Sequence, residues 1–318
     1  MRAFVATAPG RADLAEIAPP APGPGEVLLR VRACGLNFAD LLMIGGTYQD
    51  TPPLPFVPGM EMCGTVEAVG EGVAGPAVGT RVAAFCGRGG LGERAVVPAE
   101  SCVPVPDDMP DAVAAGFLVA YSTSDVALRR RGRLAAGERL VVLGAAGGVG
   151  LTAVELGARM GAEVVAVARG AAKLEVARGA GAAHVIDAEA PDLTDRLRAA
   201  GGADVIYDAV GGDLARAAMR ALRPEGRMLC IGFASGDVPV WKANHLLVKN
   251  AEAIGVYWGG YLRFAPEVVT ESVARLMRLW SEGGLSPHVS HVLPLDRVEE
   301  ALDLLRTRRA TGKVVVAP

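Results

Sequence analysis

The stretch RLVVLGAAGGVGLTAVELGARMG, residues 139–161, decides how the rest of this chain is read. An unbroken apolar run enters a glycine-rich turn, and apolar residues then recur at helical spacing, so a buried strand, a tight turn and a helix follow one another directly. In that setting glycines let backbone N–H groups and a helix N-terminus come close to an anion such as a pyrophosphate. Measured against G-x-G-x-x-G, Gly147 and Gly150 fit, while Ala145 stands at the first glycine position. Ala146, Gly147, Gly148, Val149 and Gly150 are therefore the expected pyrophosphate-binding turn. Glycines that only ease helix–strand packing would look similar, so the weight falls on what surrounds the turn.

Downstream the same alternation recurs in AEVVAVARGAAKLEVARGAG, AHVIDAEAPDLTDRLRAAG, ADVIYDAVGGDLARAAMRALRPEG, RMLCIGFA and NAEAIGVYW. Apolar strands separated by helices describe a parallel sheet buried on both faces, the doubly wound Rossmann arrangement. DAVGG, 208–212, forms a second glycine loop that brings Gly211 into the candidate site. The second strand ends in Arg169 where NAD-preferring domains carry an acid for the ribose hydroxyls, with Lys173 following. A guanidinium there suits a 2′-phosphate, so NADPH is the expected cofactor.

Upstream the period differs. EVLLRVRACG, CGTVEAVGEGV, GTRVAAF and GERAVVPAESCVPVP are short β-branched runs between Gly/Pro turns, the pattern of a small, mostly antiparallel barrel. Helical spacing begins near Asp111. The closing GKVVVAP is too short to stand alone and is expected to return to the first domain. The expected organisation is a β-rich domain from 1–118 and 260–318 around a dinucleotide-binding domain at 119–259.

Composition agrees with a soluble globular protein of two domains: 318 residues, 51% hydrophobic and 21% charged, with a net charge of −3. The dense basic run LRRRGR, 128–133, closes an apolar helical stretch, where cations complement the helix C-terminus, and no second basic patch supports nucleic-acid binding. The N-terminal apolar run is too short for a signal peptide and no segment reads as a membrane span, so a cytoplasmic location is expected. Five cysteines, at 34, 63, 86, 102 and 230, lack zinc-ribbon spacing and read as small buried hydrophobes. His288 and His291 read as a solvated pair beside a proline.

Taken in order, ACGLNFADLLMIGGTY, PFVPGMEMCGTVEAVGEGV, VAYSTSDVAL, GERLVVLGAAGGVGLTAVELG, GRMLCIGFASG and ATGKVVV resemble the zinc-free, zeta-crystallin-like quinone oxidoreductase branch of the medium-chain dehydrogenase/reductase superfamily, over essentially the whole chain. The resemblance implies a GroES-like catalytic domain beside the Rossmann domain, and a homodimer. Zinc-dependent cousins carry Gly-x-Cys-His and Gly-His-Glu where this chain reads Gly35-Leu36-Asn37-Phe38 and Gly59-Met60-Glu61, and the structural-zinc lobe is missing. No metal is expected, since Glu61 alone cannot replace three protein ligands. Alcohol oxidation must remove a poorly acidic hydroxyl proton, work a metal does by lowering its pKa, so without the metal alcohols become poor substrates, whereas a quinone or enone accepts hydride with hydrogen-bond support alone.

The resemblance further assigns Asn37 to the nicotinamide end, where its amide donates to a substrate oxygen or holds the ribose. Tyr48 matches a tyrosine that donates a proton in enoyl-thioester reductases, and is otherwise a pocket wall. Thr123 matches a threonine facing the nicotinamide, Phe233 a loop covering the cofactor, and Lys313 a residue reaching its phosphates. Asp40 is expected to tie the loop that starts a helix. Glu155 replaces a usual glutamine and Ala188 a frequent tyrosine near the adenine ribose, which leaves that end leaning on Arg169. The expected activity is NADPH-dependent reduction of quinones or other conjugated carbonyls; the alternatives are an enoyl-thioester reductase and a nucleotide-sensing or RNA-binding protein.

Overall fold

The computed structural model describes residues 1–318 and divides into two compact units, Met1–Val119 with Pro287–Pro318, and Ala120–Ser286. The chain begins with β1 (Arg2–Ala8), β2 (Arg11–Glu16), β3 (Glu26–Gly35), β4 (Glu61–Val69), β5 (Arg81–Phe85), β6 (Arg94–Pro98) and β7 (Cys102–Pro104). The second unit holds β8 (Arg139–Leu143), β9 (Glu163–Ala168), β10 (His184–Asp187), β11 (Ala203–Asp208), β12 (Leu222–Cys230) and β13 (Glu252–Gly255). β14 (Val289–Pro294) and β15 (Lys313–Ala317) complete the first unit.

In the first unit the sheet order is β14-β15-β3-β4-β5-β7, with β6 also pairing β3. Alternation along β3 turns Val27, Leu29 and Val31 toward Met62, Val66, Val82 and Val97 in one buried cluster, as a half-buried antiparallel strand requires. The last strand, KVVVA, is buried along most of its length and pairs antiparallel with the end of β3, Val316 opposite Cys34. That pairing carries Lys313 to the segment around Asn37. β1 and β2 form an antiparallel hairpin.

The second unit is a six-stranded parallel sheet in the order β10-β9-β8-β11-β12-β13. Leu140 through Leu143 on β8 and Val164 through Val167 on β9 are buried, the signature of strands covered on both faces. Chain order reverses between β8 and β11, and this switch point is where such sheets bind ligands, beyond the strands' carboxyl ends.

Residues 260–286 depart from the expected domain boundary: they belong to the second unit. The helix Pro266–Ser281 buries Val269, Val273 and Leu276 there, and its Ser272 hydroxyl donates to Asp125 Oδ2 at 2.7 Å. Arg275 pairs with the same carboxylate, which is otherwise buried and in need of donors. Periodicity identifies such a helix but not the sheet it covers. The basic run closes a π-helical turn, Val126–Arg131, and its side chains are engaged within the unit: Arg129 with Asp125, Arg130 over the Tyr261 ring and Arg133 with Glu252. No helix is long and apolar enough to cross a membrane.

Candidate cofactor and active site

The register of the parallel sheet brings four loops to one edge. Leu143 at the end of β8 lies opposite Val167 of β9 and Asp208 of β11, and Asp208 lies opposite Cys230 of β12. The glycine turn, Arg169, the DAVGG loop and the Phe233 loop all leave the sheet from this edge.

In the first loop Gly144, with φ of +71°, makes the sharp turn out of β8, so the glycine that the spacing rule sought at 145 sits one position earlier. Only a residue without Cβ takes this conformation at little cost, the signal that could have located it. Gly147 caps the helix Gly148–Arg159, whose first intrahelical bond runs from Leu151 N–H to the Gly147 carbonyl at 2.8 Å. The N–H groups of Gly148, Val149 and Gly150 thus belong to the first turn, which has no intrahelical acceptors and can receive an anion. Ala145 and Ala146 are buried beneath. Ser124, unremarked in the sequence, donates to the Val149 carbonyl at 2.9 Å and bonds Thr152 and Tyr207, bracing this turn from the neighbouring helix. Thr123 beside it is nearly buried.

In the DAVGG loop Asp208 Oδ1 accepts from Val210 and Gly211 N–H, both at 2.9 Å. Its Oδ2 is buried without a hydrogen-bond partner, and burial pushes the carboxyl pKa up. Gly211 has φ of +75°, and a Cβ there would stand 2.6 Å from the Asp237 carbonyl and 3.1 Å from the Phe233 ring. The sequence-predicted pair Gly211 and Phe233 is therefore brought together, with Phe233 38% exposed. Arg169 follows β9, is exposed, and has no ion pair or hydrogen bond. Lys173 lies half-buried in the first turn of the next helix.

The first unit gathers a second set. Asn37 caps the helix Phe38–Ile44, and Asp40 in its first turn reaches back to the Asn37 N–H at 2.8 Å, as a capping box does. The other Asp40 oxygen accepts from Gly59 and Met60 N–H at 3.1 and 3.2 Å, tying this loop to the start of β4. Burial raises the Asp40 pKa to about 6. Glu61, beside Met60, accepts from Asn37 Nδ2 at 3.0 Å and from Val119 N–H at 3.0 Å.

Lys313 departs from its expected role. Its ammonium donates to Leu36 O at 2.8 Å, Asn37 Oδ1 at 2.9 Å and Glu61 Oε1 at 2.7 Å. All three donors are engaged inside the protein, so none is left for a cofactor phosphate. The expected donor role of Asn37 toward substrate changes for the same reason: both amide hydrogens are taken, by Glu61 and by the Gly35 carbonyl at 3.2 Å. Tyr48 is half-buried against the cluster of Ala6, Met43, Phe56 and Met60.

Residues 23–107 match the family described as alcohol dehydrogenase GroES-like domain, and residues 148–278 the family described as zinc-binding dehydrogenase. The quinone oxidoreductase-like protein 2 homolog of Nematostella vectensis is 37% identical over 300 residues, covering 92% of this chain and 82% of that protein. The chain belongs to the quinone oxidoreductase branch of the medium-chain dehydrogenase/reductase superfamily. Within that superfamily it is also similar to the human synaptic vesicle membrane protein VAT-1 homolog, 36% identical over 95% of this chain and 81% of that one. The quinone oxidoreductase of Thermus thermophilus, solved alone and with NADPH, superposes with a TM-score of 0.88 at 34% identity over 100% of both chains. Its two units are thus the GroES-like and Rossmann domains of this superfamily.

The residues at the zinc-ligand positions do not fit the metal that one family description names. Asn37 and Met60 stand there, Glu61 is committed to Lys313, Asn37 and Val119, and no three His, Cys, Asp or Glu side chains converge on one point. A dinucleotide is different: the N–H groups of 148–150, the Gly211 loop and the free Arg169 guanidinium are suited to its pyrophosphate and a 2′-phosphate.

Proposed function

We propose that this protein is an NADPH-dependent oxidoreductase that passes hydride to quinones or other conjugated carbonyl compounds without a catalytic metal. The observation that carries this reading is that Asn37, Met60 and Glu61 stand at the zinc-ligand positions, with Asn37 and Glu61 committed to each other and to the Lys313 ammonium. Residues that do not fit a Lewis acid make an alcohol a poor substrate, so the better acceptor is one already electron-poor along a conjugated system. Bound there, NADPH would supply the hydride, and the acceptor would take it together with a proton from solvent or a side chain. Gly148, Val149 and Gly150 hold the pyrophosphate, Arg169 with Lys173 the 2′-phosphate, and the Phe233 loop covers the cofactor. The relatives named as quinone oxidoreductases, one solved with NADPH, support the same reading.

NADPH oxidation followed at fixed concentration across quinones, enones and enoyl thioesters, with and without a chelator, tests it. Turnover of quinones or enones that survives chelation is expected. Activity confined to enoyl thioesters rejects quinones and enones as acceptors in favour of an enoyl-thioester reductase, and activity lost with removal of a stoichiometric metal rejects the metal-free reading.

We also propose a homodimer through β13, acting in the cytoplasm. β13 is the edge of the six-stranded sheet, and Val240, Leu247 and Val248 nearby in sequence are 82%, 76% and 73% exposed. The five cysteines are free, as in a reducing compartment. Light scattering at micromolar concentration that returns a monomer rejects the dimer.

A further inference from the structure

Three buried hydroxyls, those of Ser124, Thr152 and Tyr207, meet behind the glycine turn of the Rossmann unit. Tyr207 on β11 is fully buried, and its hydroxyl has one hydrogen-bond partner, Ser124 Oγ at 3.0 Å. Ser124 Oγ also lies 2.9 Å from the Val149 carbonyl oxygen and 2.8 Å from Thr152 Oγ1. Thr152 in turn reaches the Val149 and Ala120 carbonyls, both at 3.0 Å.

Counting hydrogens fixes the directions of these bonds. Burial pushes the Tyr207 phenol pKa up, so the phenol keeps its proton, and a buried O–H requires an acceptor. Tyr207 therefore donates to Ser124. Ser124 and Thr152 then have one hydrogen each for two carbonyls that can only accept. Thr152 alone reaches Ala120, so the arrangement that serves both carbonyls gives Ser124 to Val149. The Val149 carbonyl and the Gly150 N–H belong to one planar peptide group and point in opposite directions. A donor on the carbonyl from behind thus sets the direction of the N–H in front and polarises it through the shared peptide. Gly150 has no side chain to hold that direction itself.

We propose that Tyr207, Ser124 and Thr152 are positioning residues for the dinucleotide, which hold the Val149–Gly150 peptide with its N–H aimed at the pyrophosphate of NADPH. The inference rests on the reading above, in which the first turn of the helix Gly148–Arg159 holds that pyrophosphate. Their action is indirect, through the main chain: the anion site is formed in advance, and binding does not have to order the turn.

The test replaces all three hydroxyls at once with apolar groups of nearly the same shape, Ser124→Ala, Thr152→Val and Tyr207→Phe. No buried O–H is then left without a partner, and both carbonyls keep the N–H four residues on in their own helices, so stability should change little. Titration compares NADPH with adenosine 2′-monophosphate, which carries the 2′-phosphate but no pyrophosphate. The triple variant should bind NADPH about tenfold more weakly, the lower end of the scale for a hydrogen bond to a charged group, and should bind adenosine 2′-monophosphate as wild type does. Tyr207→Phe alone frees the Ser124 hydrogen to turn to either acceptor and should shift NADPH less, in the same direction. It carries the comparison if the triple variant fails to fold in a thermal melt.

A lowered melting temperature with equal weakening of both ligands would mark a packing role and overturn the proposal. Unchanged NADPH affinity overturns it too, and Gly150→Ala shows which step failed. If Gly150→Ala weakens NADPH, the turn holds the pyrophosphate without help from the hydroxyls. If Gly150→Ala binds NADPH as wild type does, the pyrophosphate lies elsewhere, and the reading of the site fails together with this inference.

Discussion

A Cβ on Gly150 would stand 2.2 Å from the carbonyl oxygen of Gly144. The first turn of the helix therefore passes directly over the turn out of β8, and the contact is backbone to backbone, so no flexible side chain can give way. Gly150→Ala must push the helix N-terminus off its position. We expect a loss of roughly 1–3 kcal/mol in stability, the scale of an overpacked site. NADPH affinity should fall as well, because the displaced N–H groups are the proposed anion site. Thermal melts and fluorescence titration check both; a variant matching wild type in affinity would place the pyrophosphate elsewhere.

Cofactor choice should rest on Arg169, the exposed and unpaired guanidinium that follows β9. A charged hydrogen bond to a 2′-phosphate is worth about 1.5–3 kcal/mol, so Arg169→Ala should weaken NADPH about ten- to a hundredfold and leave NADH nearly unchanged. Arg169→Asp should go further through repulsion. Lys173→Ala should cost less, an ammonium being a looser point charge. Equal losses for both cofactors, measured by titration, would remove Arg169 from the 2′-phosphate.

Stability should carry an acid-side signature from Asp40. This side chain is wholly buried, and burial lifts its pKa from 3.8 to about 6 against the opposing backbone hydrogen bonds and the Lys313 ammonium. A folded-state pKa above the unfolded one means that the native protein binds the extra proton over that interval. The group's contribution is therefore fully present below about pH 4 and lost as pH rises through about 6. Relative to Asp40→Asn, wild type should gain up to roughly 3 kcal/mol on acidification from about pH 7 to about pH 4. Denaturant unfolding of both proteins at the two pH values gives the difference directly, and a constant difference would show that the carboxyl titrates normally.

Tyr48→Phe should separate two chemistries. If the phenol protonates the product, enone turnover falls by roughly two to four orders of magnitude, the scale of a lost general acid. Quinone turnover should fall less, since hydroquinone oxygens take protons readily from water. Steady-state rates with both acceptors decide the matter; small and equal losses would leave Tyr48 as a wall of the cluster formed by Met43, Phe56 and Met60.

Sequence alone determined what is local and periodic in this protein. A strand, glycine turn and helix at 139–161, the four units that follow, and Arg169 at the end of the second strand are each legible because helix and strand periods and the steric freedom of glycine act over a few residues. The absence of cysteine and histidine at positions 37, 38 and 60 is equally one-dimensional. Tertiary structure decided matters that depend on which donor meets which acceptor across long separations. The helix Pro266–Ser281 joins the Rossmann unit because the buried Asp125 carboxylate needs Ser272 and Arg275. Lys313 is committed within the first unit because β15 pairs with β3 and brings its ammonium to Leu36, 277 positions earlier, with Asn37 and Glu61 alongside. An amide's orientation is set only when both of its faces have found partners, and those partners meet only in the folded chain.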